Sequence, residues 1–346
     1  MLPSMYSGIS GLKANQKKLD VVGNNIANSS TTAFKSQRIR FQDMISQNMA
    51  QATQATSTTG GTNPKQVGLG VQIGGIDTVT STGNMQPTSR PLDFAIDGSG
   101  YFVVGSGPVP TDSAATDAGT LTVEPTEHSI SSNEVQTGFT RDGSFTLDPQ
   151  GNLLTSDGLR VYGYANSNAT ITYSVDDVKS PHKIELSGNG KGGADTAIVD
   201  TGLVPLAIPD SVTLDGKEVR IQSVSIGKDG VITAVLDGGA TAALGQIAMV
   251  SFKNDAGLTK MGKNIYNASA NSGAPTIRCG ANLKAGEDGY NASGYGEMLQ
   301  GMLEMSNVDL AEQFTDMIIA SRAFQANGKI ITTGDEILQD LVNLKR

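Results

Sequence analysis

The residues of this 346-residue chain that could do chemistry are few, and their spacing argues against it. Gly188, Gly190 and Gly193 spell the G-x-G-x-x-G of a dinucleotide fingerprint, and they follow a plausible strand at Lys183 to Leu186. What comes next, Ala194 to Gly202, reads as a second strand and turn, whereas a pyrophosphate needs a helix N-terminus at that point. His128 and His182 stand in unrelated polar contexts, without the i, i+4 or Cys-rich spacing of a metal site. The run Asp148-Pro149-Gln150-Gly151-Asn152 has the flavour of a calcium loop, but it lacks alternating carboxylates and a distal bidentate Glu, so it reads as a hairpin turn. Cys279 is the single cysteine; it cannot form an internal disulfide, and no His near it in sequence would activate its thiol. No catalytic, cofactor or metal site is expected, and no enzyme activity.

Composition narrows the class of protein further. Only 38% of the residues are hydrophobic, Trp is absent, and 42 glycines with abundant Ser, Thr and Asn describe a turn-rich, β-rich chain. A net charge of −9 disfavours nucleic acid and anionic membrane surfaces as partners, since phosphates demand clustered Lys and Arg. No apolar run approaches the 18 or so residues of a spanning helix, so no membrane insertion is expected. The opening Met-Leu-Pro-Ser-Met-Tyr-Ser-Gly lacks a basic n-region and an apolar h-region, which predicts no cleaved secretory signal. A secreted β-rich carbohydrate-binding or hydrolase domain is a rival of a different class. It would present Trp or Tyr platforms, and it leaves both chain ends without a role.

Those ends must be explained, because both carry apolar heptads. Met5, Leu12, Leu19 and Ile26 fall seven apart with Leu2 and Ile9 interleaved, the pattern of a coiled-coil seam. At the other end Leu303, Leu310, Met317, Phe324, Ile331 and Leu338 keep the same spacing, and Phe314 and Leu341 join that side. The second series predicts a helix of about 45 residues, roughly 65 to 70 Å long. Its other seam position is small or polar at Ser306, Ser321 and Gly328, which favours close approach over a permanent zipper. Charge supports pairing of the two ends: six basic residues against Asp20 in residues 1–40, eight acidic against four basic in residues 297–346.

Between the ends the punctuation is that of strands. A Ser/Thr/Asn cluster at Asn28 to Thr32 should stop the first helix, Lys35 to Ala50 is open to a short helix, and Gln51 to Gln66 reads as a low-complexity linker. Seven Asp-Gly dipeptides, at Asp97, Asp142, Asp157, Asp215, Asp229, Asp237 and Asp288, mark the tight turns of an antiparallel meander. Its clearest strands are Val219 to Ile226, Val231 to Leu236 and Leu244 to Phe252. The expected fold is α+β: long N- and C-terminal helices in a coiled-coil-like domain and a central, mainly antiparallel β body. The expected division is residues 1–66 with 296–346 as a helical polymerisation domain and linker, 67–165 with 204–295 as the body, and 166–203 as a small insertion or reduced outer domain.

Particular blocks then carry a resemblance. Ser7-Gly-Ile-Ser-Gly-Leu12, Asp20-Val-Val-Gly-Asn-Asn-Ile-Ala-Asn28 and Thr31-Thr-Ala-Phe-Lys35 resemble the opening of the flagellar rod and hook family of axial proteins. The blocks Pro91 to Val104 and Phe139 to Leu147 are similar to the family's β body, and Ser306 to Ile318 and Glu336 to Lys345 to its C-terminal helix. Ala323-Phe-Gln-Ala-Asn327, the closing Asn-Leu-Lys-Arg and Gly60 to Gly70 resemble the hook members more than the distal rod members, which are the alternative. Ser29-Ser30 and Ala33 depart from the family pattern at the turn after the first helix.

The resemblance implies a structural subunit that polymerises into the curved tube between rod and filament, outside the cell, after export through the flagellar export apparatus. It implies as partners its own copies, the distal rod protein, the hook cap protein, the hook-filament junction protein and the hook-length control protein. The residues expected at the polymerisation interface are the fourteen heptad positions from Leu2 to Leu341 named above.

Overall fold

The computed structural model describes residues 2–54, 57, 60–110, 119–124, 129–132, 134–166, 169–173, 181–186, 198–214, 216–278 and 294–344. Cys279, His128, Asp288 and the Gly188 to Gly193 loop lie outside the described residues. Two units result: Met1–Ser81 with Ser306–Arg346, and Thr82–Met305. The division falls after Ser81 and before Ser306 instead of at 66 and 296, because strands that the sequence reading assigned elsewhere complete each unit.

In the first unit, helix α1 runs Leu2–Ala27. It stops where expected: the Asn28 side chain turns back to donate to the Asn24 carbonyl at 2.9 Å, and competition of this kind ends helices. Ala33 follows at φ 55°, a left-handed conformation that a residue with a Cβ holds only under constraint. The chain then forms β1 (Gln37–Asp43), β2 (Ser46–Ala50), β3 (Lys65–Gly68) and β4 (Val71–Thr78). Strand β1 pairs antiparallel with β4, and β2 with β3, with a further bridge between Thr53 and Thr62. Lys35 to Ala50, open to a short helix by sequence, holds the strands β1 and β2 instead. The alternation Arg38-Ile39-Arg40-Phe41 is a period of two, the register of a ribbon.

Helix α2 spans Leu310–Asn343, 34 residues or roughly 50 Å. It does not reach back to Leu303, which lies in a strand, Met302–Glu304, of the other unit. The start is set by Asp309, whose carboxylate accepts from the Ala311 and Glu312 N–H groups and caps the first turn. Just before it, the Asn307 carboxamide oxygen accepts from Ser36 N–H at 2.8 Å and its amide donates to the Val79 carbonyl at 2.9 Å, which holds that stretch out of helix.

The second unit is a mainly antiparallel β body. It opens with β5 (Met85–Pro87), β6 (Phe94–Asp97) and β7 (Tyr101–Ser106). Strand β7 is flanked by Gln136–Thr140, Arg160–Asn166 and Met249–Ser251, all antiparallel to it. Its residues alternate between two cores: Phe102 and Val104 join Phe94, Phe145, Val161 and Ile247, while Tyr101 and Val103 join Phe139, Tyr162, Val250 and Tyr266. Both faces are buried, which is why Tyr101 to Val104 reads as a continuous apolar run. With no Trp, edge-on ring pairs fill the volume, such as Phe102 on Phe145 at 5.2 Å and Phe139 on Phe252 at 5.0 Å. The expected meander is present as Lys217–Ile226, Val231–Leu236 and Thr241–Ile247, with Gly230 at φ 81° and Gly238 at φ 104° in its turns. The third expected strand divides: after Ile247 the chain leaves Val231–Leu236 and continues as Met249–Ser251 beside β7. Among the described residues one pairing is parallel, Lys183–Leu186 with Ser211–Leu214.

A buried ion pair closes the body. Arg141 and Glu304, both nearly inaccessible, approach to 3.4 Å. The guanidinium also donates to the Gly98 carbonyl and lies over the Tyr101 ring, and the Glu304 carboxylate accepts from Gly83 N–H at 2.9 Å. Removing one member of such a pair leaves an uncompensated buried charge. Glu304→Leu is expected to lower the unfolding free energy of the body by about 3–5 kcal/mol, read from its denaturant midpoint.

His182 gives the body a pH dependence. Its ring is buried against Tyr173, and Nε2 lies 3.0 Å from the Asn152 carboxamide oxygen. That oxygen is an acceptor, because the Asn152 amide donates to Asp148 at 2.8 Å, so His182 Nε2 donates to it. Burial lowers its proton affinity below the ordinary value of 6.5; Asp148 opposes this and Arg160 reinforces it. The unfolded chain therefore binds the proton more readily, so stability is full above about pH 6.5 and declines as the pH falls below it. The slope is at most about 1.4 kcal/mol per pH unit, and His182→Gln should remove it from a pH series of melts.

Candidate assembly interface

Within the helical unit α1 and α2 lie antiparallel, and the register is plain from the contacts. A Cβ placed on Gly334 would touch Met5 at 3.3 Å, and one on Gly8 would touch Ile331 at 3.5 Å. Lys18 Nζ meets Asp316 at 3.1 Å, and the Asn25 amide donates to Gln313 at 3.0 Å. The closest approach is at Gly11, where an added Cβ would stand 2.7 Å from the Asn327 amide nitrogen. The glycines leave room for side chains of the facing helix.

Of the heptad residues, Met5 and Ile331 reach the contact, where they lie against Gly334 and Gly8. Buried on α1 are Gly8, Gly11, Ala14, Val22 and Asn25, and on α2 Ala320. Met5, Leu12, Leu19, Ile26, Met317, Ile331 and Leu338 are half-buried. Ile9, Leu310, Phe314, Phe324 and Leu341 are exposed, Phe314 and Leu341 by 50% each. Leu303 belongs to the body, and the Leu2 side chain lies outside the described residues. A heptad count registers only large apolar residues, whereas the face that meets a partner helix at short range is the small one.

What the heptads missed is equally apolar. Ile318, Ile319, Ile330 and Ile337 are exposed on α2, and Phe41, Met44, Ile45, Met49, Val67, Ile73 and Ile76 on the ribbon, Met49 by 73%. A lone two-stranded ribbon is marginal in water, and this one presents side chains that water disfavours.

A polar hub ties these elements together. Asn25, almost fully buried, donates to the Gln37 carbonyl at 2.8 Å and accepts from Gln37 N–H at 3.0 Å, so one side chain pins the start of β1 to α1 while also reaching α2. Lys35, equally buried, donates to the Ser81 carbonyl at 2.8 Å, which Asn307 also reaches. Sequence reasoning saw Asn25 and Asn307 only as parts of family blocks. The Lys18–Asp316 bridge agrees with the opposite charges of the two ends, though a part-exposed pair contributes only about 0.2–1 kcal/mol.

Among the described residues, Asp148 and His182 are held in the packing of the body. The Asp148 carboxylate accepts from Gln150 and Asn152 N–H at 2.9 and 2.7 Å and so caps a hairpin turn between Phe145–Leu147 and Leu153–Thr155. Burial raises the phenol pKa of Tyr162 to about 12 and that of Tyr266 to about 12, but these rings are core members. Among the described residues no group of His, Cys, Asp and Glu is placed to hold a metal ion, and no helix is long and apolar enough to cross a membrane.

Both chain ends folded into one helix pair, with large apolar faces left over, define a structural protein made for assembly. Comparison with known proteins names its family. Residues 5–35 match the flagella basal body rod protein model, residues 128–234 the flagellar hook protein FlgE/F/G D1 domain, and residues 299–344 the flagellar basal body rod FlgEFG protein C-terminal model. The chain is 42% identical to the flagellar basal-body rod protein FlgG of Bacillus subtilis, with 100% of each chain covered. It is 30% identical to the flagellar hook protein FlgE of Borreliella burgdorferi, again with 100% of each covered. The chain belongs to the flagellar rod and hook family of axial proteins.

Asn25→Leu tests the hub. It leaves the Gln37 backbone groups without their partner and should cost the helical unit about 1–3 kcal/mol, seen as faster hydrogen exchange at Gln37 to Arg40.

Proposed function

We propose that this protein is a subunit of the flagellar hook, polymerising into the curved tube that joins rod to filament and passes torque between them. The observation that carries the reading is the pair of uncovered apolar surfaces, one on α2 and one on the ribbon, that remain once α1 and α2 have met. Covering a Leu, Ile or Phe side chain contributes roughly 1.5–3 kcal/mol, so such surfaces favour neighbouring copies strongly. A contact between unlike surfaces that does not close into a ring generates a helical filament. The hook assignment is supported by the hook-like blocks Gly60 to Gly70 and Ala323 to Asn327. Under it the partners are the distal rod, hook cap, hook-filament junction and hook-length control proteins, reached after export through the flagellar export apparatus without a cleaved signal.

A distal rod subunit is the second reading. It is favoured by the 42% identity to a rod protein aligned over 346 residues, where the hook alignment extends over 455. A deletion strain separates the two: completed rods that lack hooks support the first, and truncated rods support the second.

Polymerisation itself is tested with fragments. Thr82–Met305 alone should fold and remain soluble without forming polymers. In the full chain Phe324→Asp should abolish assembly while leaving the melting temperature of the body unchanged. Hydrogen exchange across Leu310 to Leu341 should slow on assembly, because Ile318, Ile319, Phe324, Ile330, Ile337 and Leu341 are exposed in a single copy. Equal protection before and after assembly would contradict assembly-coupled ordering.

A further inference from the structure

On the helical unit a groove of about 550 Å³ runs between α1 and the ribbon. Ile9, Ala14, Met44, Leu69, Val71 and Ile73 line it. Lys13 and Lys17 stand along it one turn apart on α1. A small-molecule site usually gathers a few placed polar groups onto its ligand. Here the hydroxyl of Ser10 is already engaged, donating to the Ser7 carbonyl at 2.8 Å and accepting from Val71 N–H at 3.2 Å. Tyr6, Gln16 and Gln72 complete the lining, and its long apolar wall with two cations fits an apolar, acidic helix face.

The C-terminal half of α2 has that character. Ile330, Ile337, Leu341 and Leu344 are spaced by seven, four and three, which puts them on one face of the helix, and all four are exposed. Glu336 and Asp340 border this face and are themselves one turn apart, the same i, i+4 interval as Lys13 and Lys17. Within a single chain Ile330 and Ile337 lie beside Ser4, at the start of α1, so this ridge is not in its own groove.

We infer that the groove between α1 and the ribbon seats the C-terminal half of α2 from a second copy, with Ile337 and Leu341 against the apolar wall and Glu336 and Asp340 beside Lys17 and Lys13. This rests on the polymerisation reading and specifies its contact. Groove and ridge are different surfaces, so each copy offers one and accepts the other, the open, heterologous arrangement that propagates a filament. The Lys17–Asp20 bridge of 3.2 Å is solvent-exposed and contributes little, so Lys17 exchanges partners at small cost.

Mixed cysteine pairing tests the contact in full-length chains that also carry Cys279→Ser. One population bears Ile9→Cys and the other Ile337→Cys, so a mixed disulfide forms only between copies. Oxidation of the co-polymer should give that dimer on a denaturing gel, and oxidation of the unassembled mixture should not. Normal polymers without the dimer overturn the inferred contact while leaving polymerisation intact; failure of the unsubstituted chain to polymerise overturns the reading beneath it. Charge exchange gives an independent readout. Lys13→Glu with Lys17→Glu should abolish polymer, and adding Glu336→Lys with Asp340→Lys should restore it. Unimpaired assembly of the first variant, or no restoration in the second, refutes the pairing.

Discussion

The seating of side chains of one terminal helix on the small residues of the other governs the rest of the helical unit. Gly8, Gly11 and Gly334 leave room that Ile331, Asn327 and Met5 of the facing helix occupy, and Ala14 and Ala320 are buried beside them. Met5 and Ile331 reach into this contact, Leu12 is half-buried, and Phe314, Phe324 and Leu341 face solvent. Had Leu stood at the Gly8 and Gly11 positions, the helices would form a self-sufficient zipper and the apolar stripes would be used up within one chain. The small seam therefore does two things at once. It holds the ends of one polypeptide together, and it keeps most of their apolar area available to others.

Directional polar contacts supply what the thin seam lacks. Asn25 and Lys35 are buried, Asn307 is half-buried, and each is hydrogen-bonded to backbone as well as, or instead of, another side chain. Backbone partners do not vary with side-chain packing, so these bonds define where the ribbon and α2 begin even though little apolar surface is buried there. The same logic sets the length of α2. Asp309 caps it and Asn307 is committed to Ser36 and Val79, so the helix cannot extend toward Leu303 however well the heptad continues.

The body is organised by the opposite rule. Strand β7 is covered on both faces, Arg160–Asn166 contributes to both cores, and the ion pair of Arg141 and Glu304 is sealed inside. Here burial is nearly complete within one chain, so the body is self-contained where the helical unit is not. Groups that looked like chemistry are spent on this packing: the Asp148 carboxylate on its own turn, and His182 on Asn152.

Much of this was legible in the residues. Apolar spacing marked the two terminal helices, the Asn28 to Thr32 cluster marked the end of the first, and the Asp-Gly turns marked the meander from Lys217 to Ile247, because these are local rules obeyed within a few residues. The family blocks also pointed to an axial protein. Tertiary structure alone decided which face of each helix meets the other, since that choice depends on side chains too small to register in a hydrophobic count. It also decided that Arg38 to Phe41 belongs to a ribbon, that Leu303 belongs to the body, and that Lys13, Lys17 and Met44 share one groove. Residues so far apart in sequence are brought together by antiparallel pairing and by buried amides, and no local pattern records that distance.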